Sequence, residues 1–599
     1  MSDLRVASLK GRKPGSAPSL PDGAVVSGVT TSASFSGNVT GNVTGTATGK
    51  VTGNVTGNIT GTAGTFSGNV SVGGVVTYED VTSIDSVGVV TARTGIKIGA
   101  GQSVSAVSGI VTYYGDGSKL TGVESGVVNF VASGTIPNGS TVIIKADGTV
   151  GTIGRSGSDT PIVGSPTLFE SGGTADISVV YDSTNSKVVI AYRDSGNSNR
   201  GTAIVGTVSG SNITFGTPVV FNTATSVSVS AVYDSNSGKV VIVYRDDGNS
   251  DHGTAIVGTV SGTSISFGSE VVFHPGATND IAITYDSTNQ KVVIVYQDSG
   301  NSNYGKAIVG TVSGTSISFG SESNFHNADT RLIDVTYDSS NNRVVIVYSD
   351  YGNSYHATAV VGTVSGTSIS FGSDVVFNAA NSSQSIKITY DSTNSKVVVA
   401  YQDTANSEYG TAIVGTVSGT SISFGSEVVF ESAQSAQISI SYDSVDQKIV
   451  IAYRDYANSN YGTVIVGTVS GTSISFGSPN VFETAETNGT SMGFDSDNAK
   501  MIIGYIDNGN SNYGTCIVFG ATSKTTNLTS ENYIGIAAEA IANGATGKIN
   551  IVTGTNTGQT GLTTAKTYYV QSSGGISTSI STPSVVAGTA ISDTKIIVR

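Results

Sequence analysis

Short apolar runs, each bounded by Gly, Asn, Asp and Ser, recur along most of the chain. No apolar spacing of three and four residues marks a helix. From about residue 176 to 520 the runs repeat. An apolar run ends in an aromatic–Asp pair at Tyr181–Asp182, Tyr233–Asp234, Tyr285–Asp286, Tyr337–Asp338, Tyr390–Asp391, Tyr442–Asp443 and Phe494–Asp495, spaced 52 residues five times and 53 once. In the first copy, Asp176 to Tyr181 predicts a strand and Asp182 to Ser186 a turn. Lys187 to Arg193 (KVVIAYR) predicts a second strand, apolar enough to be buried on both faces. The loop Asp194 to Arg200 leads to a third strand, Thr202 to Val208, and the Ser209–Gly210 turn to a fourth, Ile213 to Phe221, in which Gly216 marks a bulge.

Four antiparallel strands in a repeat of this length are the signature of a β-propeller. The seventh copy has only three: Met492 to Phe494, Met501 to Ile506 and Thr515 to Phe519. Its missing fourth stands before the first copy, at Ile162 to Phe169 (IVGSPTLF), which is similar to the ISFGSEVVF of later copies. The expectation is a seven-bladed ring over residues 154–520, closed by that strand so that no sheet edge is left open. The alternative is a linear β-array. Strand parity puts the second-to-third loops and the connections after the fourth strand on one face. There the sequence varies, from ESGGTAD to HNADTRL in one set and from RDSGNSNR to SDYGNSYH in the other. The turns of the opposite face are short and nearly uniform (DSTNSK, SGTS). Variation over a constant scaffold is how loop-borne binding is arranged.

Composition narrows the class. Gly is 77 of 599 residues and charged residues are 12%, as suits an all-β chain. A net charge of -14 argues against a broad nucleic-acid face. The single cysteine, Cys516, excludes an intrachain disulfide scaffold. The start carries no apolar signal segment, and no apolar run is long enough to insert in a membrane, so the chain is expected to be made in a cytoplasm.

Residues 37–63 (GNVTGNVTGTATGKVTGNVTGNITGTA) place Gly every fourth residue with one aliphatic two positions on. So thin a stripe forms a core only by packing against identical chains; a flexible linker is the alternative. The stretch VTSIDSVGVVTARTGIKIGAG and IVTYYGDGSKLTGV at Ile110 to Val123 resemble shaft modules of tail-fibre-like virion proteins of marine cyanobacterial phages, and the opening MSDLRVASLKGRKPGSAPSLPDGAVV resembles the opening of such proteins. The C-terminal NYIGIAAEAI, GKINIVTGT and KTYYVQSSGGISTSISTPSVVAGTAISDTKIIVR resemble a small β module of phage structural proteins. In that family a segment like Ala132 to Val150 directly precedes the rest; here the repeats intervene. The expected organisation is all-β: a seven-bladed β-propeller inserted in a small β module, preceded by a thin β-rich oligomeric fibre shaft. The segments are an N-terminal virion anchor (1–25), the shaft (26–126), the first part of the module (127–153), the propeller (154–520) and the second part (521–599). The resemblance implies location in a virion, a homotrimer, and contact with other virion proteins through the N-terminus.

Catalytic chemistry is not evident. The four histidines, His252, His274, His326 and His356, share no repeat position in more than two copies, and each is expected in a loop. Arg193, Arg245 and Arg454 occupy one repeat position, where other copies carry Gln297, Ser349, Gln402 and Ile506. The set is similar to the carboxylate-binding arginines of sialidases, but the S-x-D-x-G-x-T-W box is absent and the chain has no Trp. The Asp–Ser–x–Asn clusters fit tight turns better than calcium sites, and no cofactor is implied. Loops mixing Gly, Asn, Ser, Tyr, Arg and His suit recognition of a glycan or protein. Candidate ligand contacts are Arg193, Arg245, Gln297, Gln402, Arg454, Asn199, His252, Tyr304, Tyr355, His356, Tyr409, Tyr461 and Tyr513. The tyrosines are stacking candidates, although each also fits a packing role between repeats. The function expected is a phage receptor-recognition fibre binding a host surface glycan or protein. The alternative is a purely structural virion component (baseplate, collar or head fibre).

Overall fold

The computed structural model describes residues 126–578 and 583–599, with the side chains of 380–384 excepted. The predicted anchor and nearly all of the predicted shaft lie outside the described residues. What is described is all-β: no α-helix occurs among these residues, only strands and short 3-10 turns.

The repeats build one hydrogen-bonded array of 28 strands. The second strand is Lys187–Asp194 in the first copy and Lys500–Asp507 in the last. It is buried on both faces, as its unbroken apolar run predicts. The third strand is longer than expected, Arg200–Ser209 in the first copy. The predicted fourth strand is broken: Asn212–Phe215 pairs with the third, then the chain steps at Gly216. A Cβ on Gly216 would lie 1.8 Å from the Thr263 carbonyl oxygen of the next copy, so that backbone approach requires glycine.

The connections expected as variable loops after the fourth strand are strands instead. In the first copy one strand, Thr167–Asp182, runs throughout. Its first half pairs with Tyr513–Gly520 of the last copy, and its second half with Lys187–Asp194. The same crossover joins every consecutive pair of copies, so each long strand is the outer strand of one unit and the first strand of the next. An irregular register, such as the shift between Ala175 and Ser178, allows the bend that loop chemistry had suggested. The one-residue insertion of the fifth copy falls at this bend, in Val375–Asp391.

Each hydrophobic cluster of the array lies between neighbouring units. One combines Phe169, Ile190 and Ile204 with Ile502, Cys516 and Val518, bringing the two ends of the repeat region together. At the heart of each unit is a fully buried tyrosine: Tyr192, Tyr244, Tyr296, Tyr348, Tyr401, Tyr453 or Tyr505. A phenylalanine packs on each, Phe325 on Tyr348 at 5.4 Å for instance. The glycine opposite, such as Gly305, leaves room for that phenylalanine ring. In the fourth unit Ala357 stands at this glycine's position, and there Phe377 is only partly buried.

The chain on either side of the repeats shares one sheet, in the order Val127–Val131, Thr546–Asn550, Tyr533–Ala537, Thr141–Ile144 and Val150–Thr152. A second five-stranded sheet, built from residues 555–598, packs beside it around Leu562, Val570 and Ile596.

The first-to-second turns are closed by their Asp. Asp182 Oδ1 accepts from the amides of Thr184 and Asn185 at 3.0 Å, and Oδ2 from Asn185 Nδ2 at 2.8 Å. Asp446 replaces that Asn in the sixth copy (DSVDQK). It is held by Arg155 at 3.2 Å and by the Thr522 hydroxyl at 2.7 Å, both from the chain leading to the flanking sheets. The missing amide leaves Asp443 Oδ2 buried without a hydrogen bond. Burial pushes the Asp443 carboxyl up to about 6. The folded chain therefore holds this proton to higher pH than the unfolded chain does. Stability is lost as pH rises from about 4 to about 6, and the full cost is present at pH 7. Asp443→Asn is expected to stabilise the protein at pH 7 by roughly 1 to 3 kcal/mol, with the gain vanishing near pH 4. Denaturant titrations at both pH values check this; an equal gain at both contradicts it.

Candidate functional site

The two kinds of turn segregate. The Arg343 Nε at the start of one second strand donates to the Gly419 carbonyl in a third-to-fourth turn at 2.7 Å, so both uniform turns share a face. The flanking sheets meet that face, where Ser572 lines a cavity with Gly210, Ser211 and Asp497. The second-to-third loops lie at the other end of the strands, beside the bends. Ser299 N donates to Ala277 O at 2.9 Å, and Tyr456 N to Gln434 O at 3.2 Å.

Each loop follows one backbone path. Its Asp accepts turn amides, as Asp350 Oδ1 does from Asn353 N at 3.0 Å. Two left-handed residues follow, Ser198 and Asn199 in the first copy. In six copies the carbonyl of the second receives an amide of the next unit, for example Ser226 N to Asn199 O at 3.0 Å, Thr330 N to Asn303 O at 3.0 Å and Thr174 N to Asn512 O at 3.0 Å. Asn199 is thus a tie between units through its backbone.

The predicted contacts divide by repeat position. His252, Tyr304, His356, Tyr409, Tyr461 and Tyr513 each begin a third strand and are half-buried at equivalent places on this face. Tyr355 is one position earlier. It lies where other copies carry Asn199, Asp251, Asn303, Glu408, Asn460 and Asn512. The three arginines are each engaged by an acid: Arg193 by Asp176 at 3.1 Å, Arg245 by Asp247 at 2.7 Å, and Arg454 by Glu486 at 3.3 Å. Arg245 also bonds Asn279 of the next unit, and the Arg454 guanidinium lies 4.5 Å over the Tyr456 ring. Gln297 and Gln402 are buried, and Gln297 Nε2 donates to the Thr330 carbonyl at 2.8 Å. They are scaffold.

All four histidines depart from the loop expectation: His252 and His356 begin strands, and His274 and His326 lie within long strands. His274 Nδ1 is 2.6 Å from Glu322 and its Nε2 3.3 Å from Asp298, while Lys306 bridges the same two acids at 2.9 and 2.8 Å. His326 sits likewise between Asp350 and Asp374 at 3.0 and 3.2 Å. Burial opposes its charge, but these two acids outweigh burial and hold its pKa above the ordinary value.

Two features of this face were not legible beforehand. The first is a cavity of about 380 Å³ where the bends converge, lined by Asp176, Ser228, Asp280, Leu332, Ser385, Lys387, Gln437 and Thr490 among others. Several bend residues there are left-handed although not glycine, with φ of 46° at Asp176, 45° at Asp280 and 55° at Leu332. Some reach the next unit: Asp280 Oδ2 accepts from Leu332 N at 3.1 Å, and Gln437 Oε1 from Gly489 N at 3.1 Å. Burial raises the carboxyls of Asp176 and Asp280. The second is an aromatic pair in the fourth unit. Tyr351 and Tyr355 meet edge-on at 4.3 Å, and the Arg331 guanidinium lies 4.3 Å over the Tyr351 ring. Arg331 is forked onto Asp329, with Nε and NH2 each 3.1 Å from a carboxylate oxygen. Tyr355 has φ 63°, a backbone region that costs a bulky side chain roughly 1 to 3 kcal/mol. The sequence signal was Tyr at two loop positions where most copies have small polar residues.

No protein-family model and no curated protein matches this chain. Solved structures similar to it include the BP39L lectin from Burkholderia pseudomallei, with TM-score 0.46 and 7% identity over 60% of this chain and 99% of that one. Another is the NanB sialidase from Streptococcus pneumoniae, with TM-score 0.37 and 12% identity over 59% of this chain and 70% of that one. A third is the Aleuria aurantia lectin in complex with Fucα1-6GlcNAc, with TM-score 0.33 and 14% identity over 53% of this chain and 98% of that one.

Proposed function

We propose that the repeats form a closed seven-bladed propeller, carried in a tail-fibre-like virion protein, whose loop-bearing face recognises a glycan on the host surface. The observation that carries this reading is the segregation of the two faces. Chemically varied side chains gather at one end of the strands, over hydrogen bonds that repeat from unit to unit. The flanking sheets occupy the uniform end and leave the varied end uncovered by them. Closure is supported by the tie of Ser491 Oγ to Val179 N at 3.1 Å, which links the last unit to the first.

Recognition rather than turnover suits the site. Its arginines are already neutralised by neighbouring acids, and asparagine, serine, aspartate and tyrosine predominate among its loop side chains. Such contacts are individually weak, and several copies of the face on one fibre multiply them by avidity. The Gly-rich stretch of residues 37–63 and the resemblance of the N-terminal region to virion shafts support a trimer joined to other virion proteins through its N-terminus.

Replacing Tyr304, Tyr409 and Tyr461 together with Ala is expected to lower adsorption to host cells at least tenfold, at about 1 to 3 kcal/mol per contributing contact. Replacing Thr315 and Thr420, exposed in turns of the opposite face, is expected to leave adsorption intact. The reverse result would move the site to the other face. For the shaft, light-scattering mass in solution is expected to give three chains per particle, and a monomer at micromolar concentration contradicts it.

A further inference from the structure

The loop-bearing face is not uniform. Six copies carry Asn, Asp or Glu at the second left-handed position of the loop. The fourth copy carries Tyr355 there, 41% exposed. Asn and Asp enter this backbone region with little strain, whereas a bulky aromatic does not. The exposed ring gains little burial to offset that strain. What the substitution provides is a rigid apolar surface facing outward, set edge-on against Tyr351.

The polar groups beside it are fixed. Asp329 pairs across the sheet with Tyr304, the residue that begins the preceding unit's third strand. Its carboxylate holds Arg331 in a two-point fork, and Tyr351 covers one face of the guanidinium. Asp280 adds a second acid, bonded to the amide of Leu332 beside Arg331. The arginine charge is therefore balanced before any ligand arrives. Carboxylate oxygens and guanidinium N–H groups stand next to exposed aromatic carbon. That combination fits a pyranose ring, whose C–H face lies on an aromatic and whose hydroxyls both donate and accept. It does not fit an acidic sugar, which would have to displace Asp329 from Arg331 near a second carboxylate in a chain of net charge -14.

We propose that Tyr355 of the fourth unit, braced edge-on by Tyr351, is the stacking surface for a neutral pyranose, with Asp329 and Arg331 making its polar contacts. This inference rests on the reading of the loop-bearing face as the recognition surface. It goes further in placing one sugar subsite on one unit and in naming the charge class of the sugar.

The test uses the full-length protein on a printed array of neutral and acidic oligosaccharides. The decisive variant is Tyr355→Asn, which restores the residue most copies carry and relieves the backbone, so it is expected to melt no lower than wild type. Arg331→Gln is the second variant. The wild type is expected to bind neutral oligosaccharides, with binding reduced at least tenfold by Tyr355→Asn and reduced by Arg331→Gln. The proposal is overturned if Tyr355→Asn binds like wild type, or if no printed sugar is bound. It is also overturned if acidic sugars are preferred and their binding depends on Arg331 but not on Tyr355. Host-cell adsorption separates the two levels. Should Tyr355→Asn adsorb normally while the triple tyrosine variant does not, the subsite is wrong and the recognition face stands. Should neither variant lose adsorption, the face itself is wrong.

Discussion

The pairing on which the rest of this architecture depends joins the two ends of the repeat region. Tyr513–Gly520, the last strand of the repeats, hydrogen-bonds to Ile162–Val163 and then to the first half of Thr167–Asp182. Without it, the last unit would end on an unpaired third strand and the first would begin on a bare first strand. Either edge would invite pairing with another chain. With it, the chain enters and leaves the array at neighbouring strands, so the segments before and after the repeats can share a sheet. Closure of the ring in the proposed function is this pairing taken together with the contacts between the first strands of neighbouring units.

A second constraint repeats inside each unit. A buried tyrosine hydroxyl must find an acceptor, because leaving it unpaired costs about 1 to 3 kcal/mol. Two strand positions can supply a carboxylate, and the units use one or the other. Tyr192, Tyr453 and Tyr505 donate to Glu170, Glu431 and Glu483 of their own first strands. Tyr244 and Tyr401 donate to Glu270 and Glu427 at the start of the following long strand. The carboxylates of Glu322 and Asp374 lie at that same position beside Tyr296 and Tyr348. Where the first position is Glu, the second is Pro: Pro218 for Tyr192, Pro479 for Tyr453, and Pro166 for Tyr505. The last case crosses from the end of the repeats back to their beginning. His274 and His326 belong to the same arrangement, standing between such an acid and the strand-end Asp.

The repeat, its strands and its Asp-closed turns were legible because each rests on local chemistry: a dense apolar run, an Asp two and three residues ahead of the amides it accepts, a turn glycine. The long crossover strands were not. NTATSVS and HPGATND read as loops by composition, yet their backbone is paired on both sides in turn and bends through irregular register. The same limit hid the convergence of bends on one cavity, since Asp176, Ser228 and Asp280 meet only once several units are in place. At the candidate site, the sequence located the loop face but not the division of labour on it. Gln297 and the backbone of Asn199 tie neighbouring units and Gln402 is buried, whereas Tyr351 and Arg331 were overlooked because neither recurs at its position in most copies.

Function on this scaffold follows from what the constraints leave free. Backbone ties hold six of the loops in place whether Asn, Asp or Glu occupies the left-handed position, so that position can vary without loosening the array. The proposed closed ring would make one continuous face of these loops. Electron cryo-microscopy of the full-length protein tests it most directly, through averages viewed down the axis of the repeat region. Seven spokes of equal spacing around a central hole are expected, with no gap between the last and the first. An open arc, a gap at that junction, or a different number of spokes would contradict it.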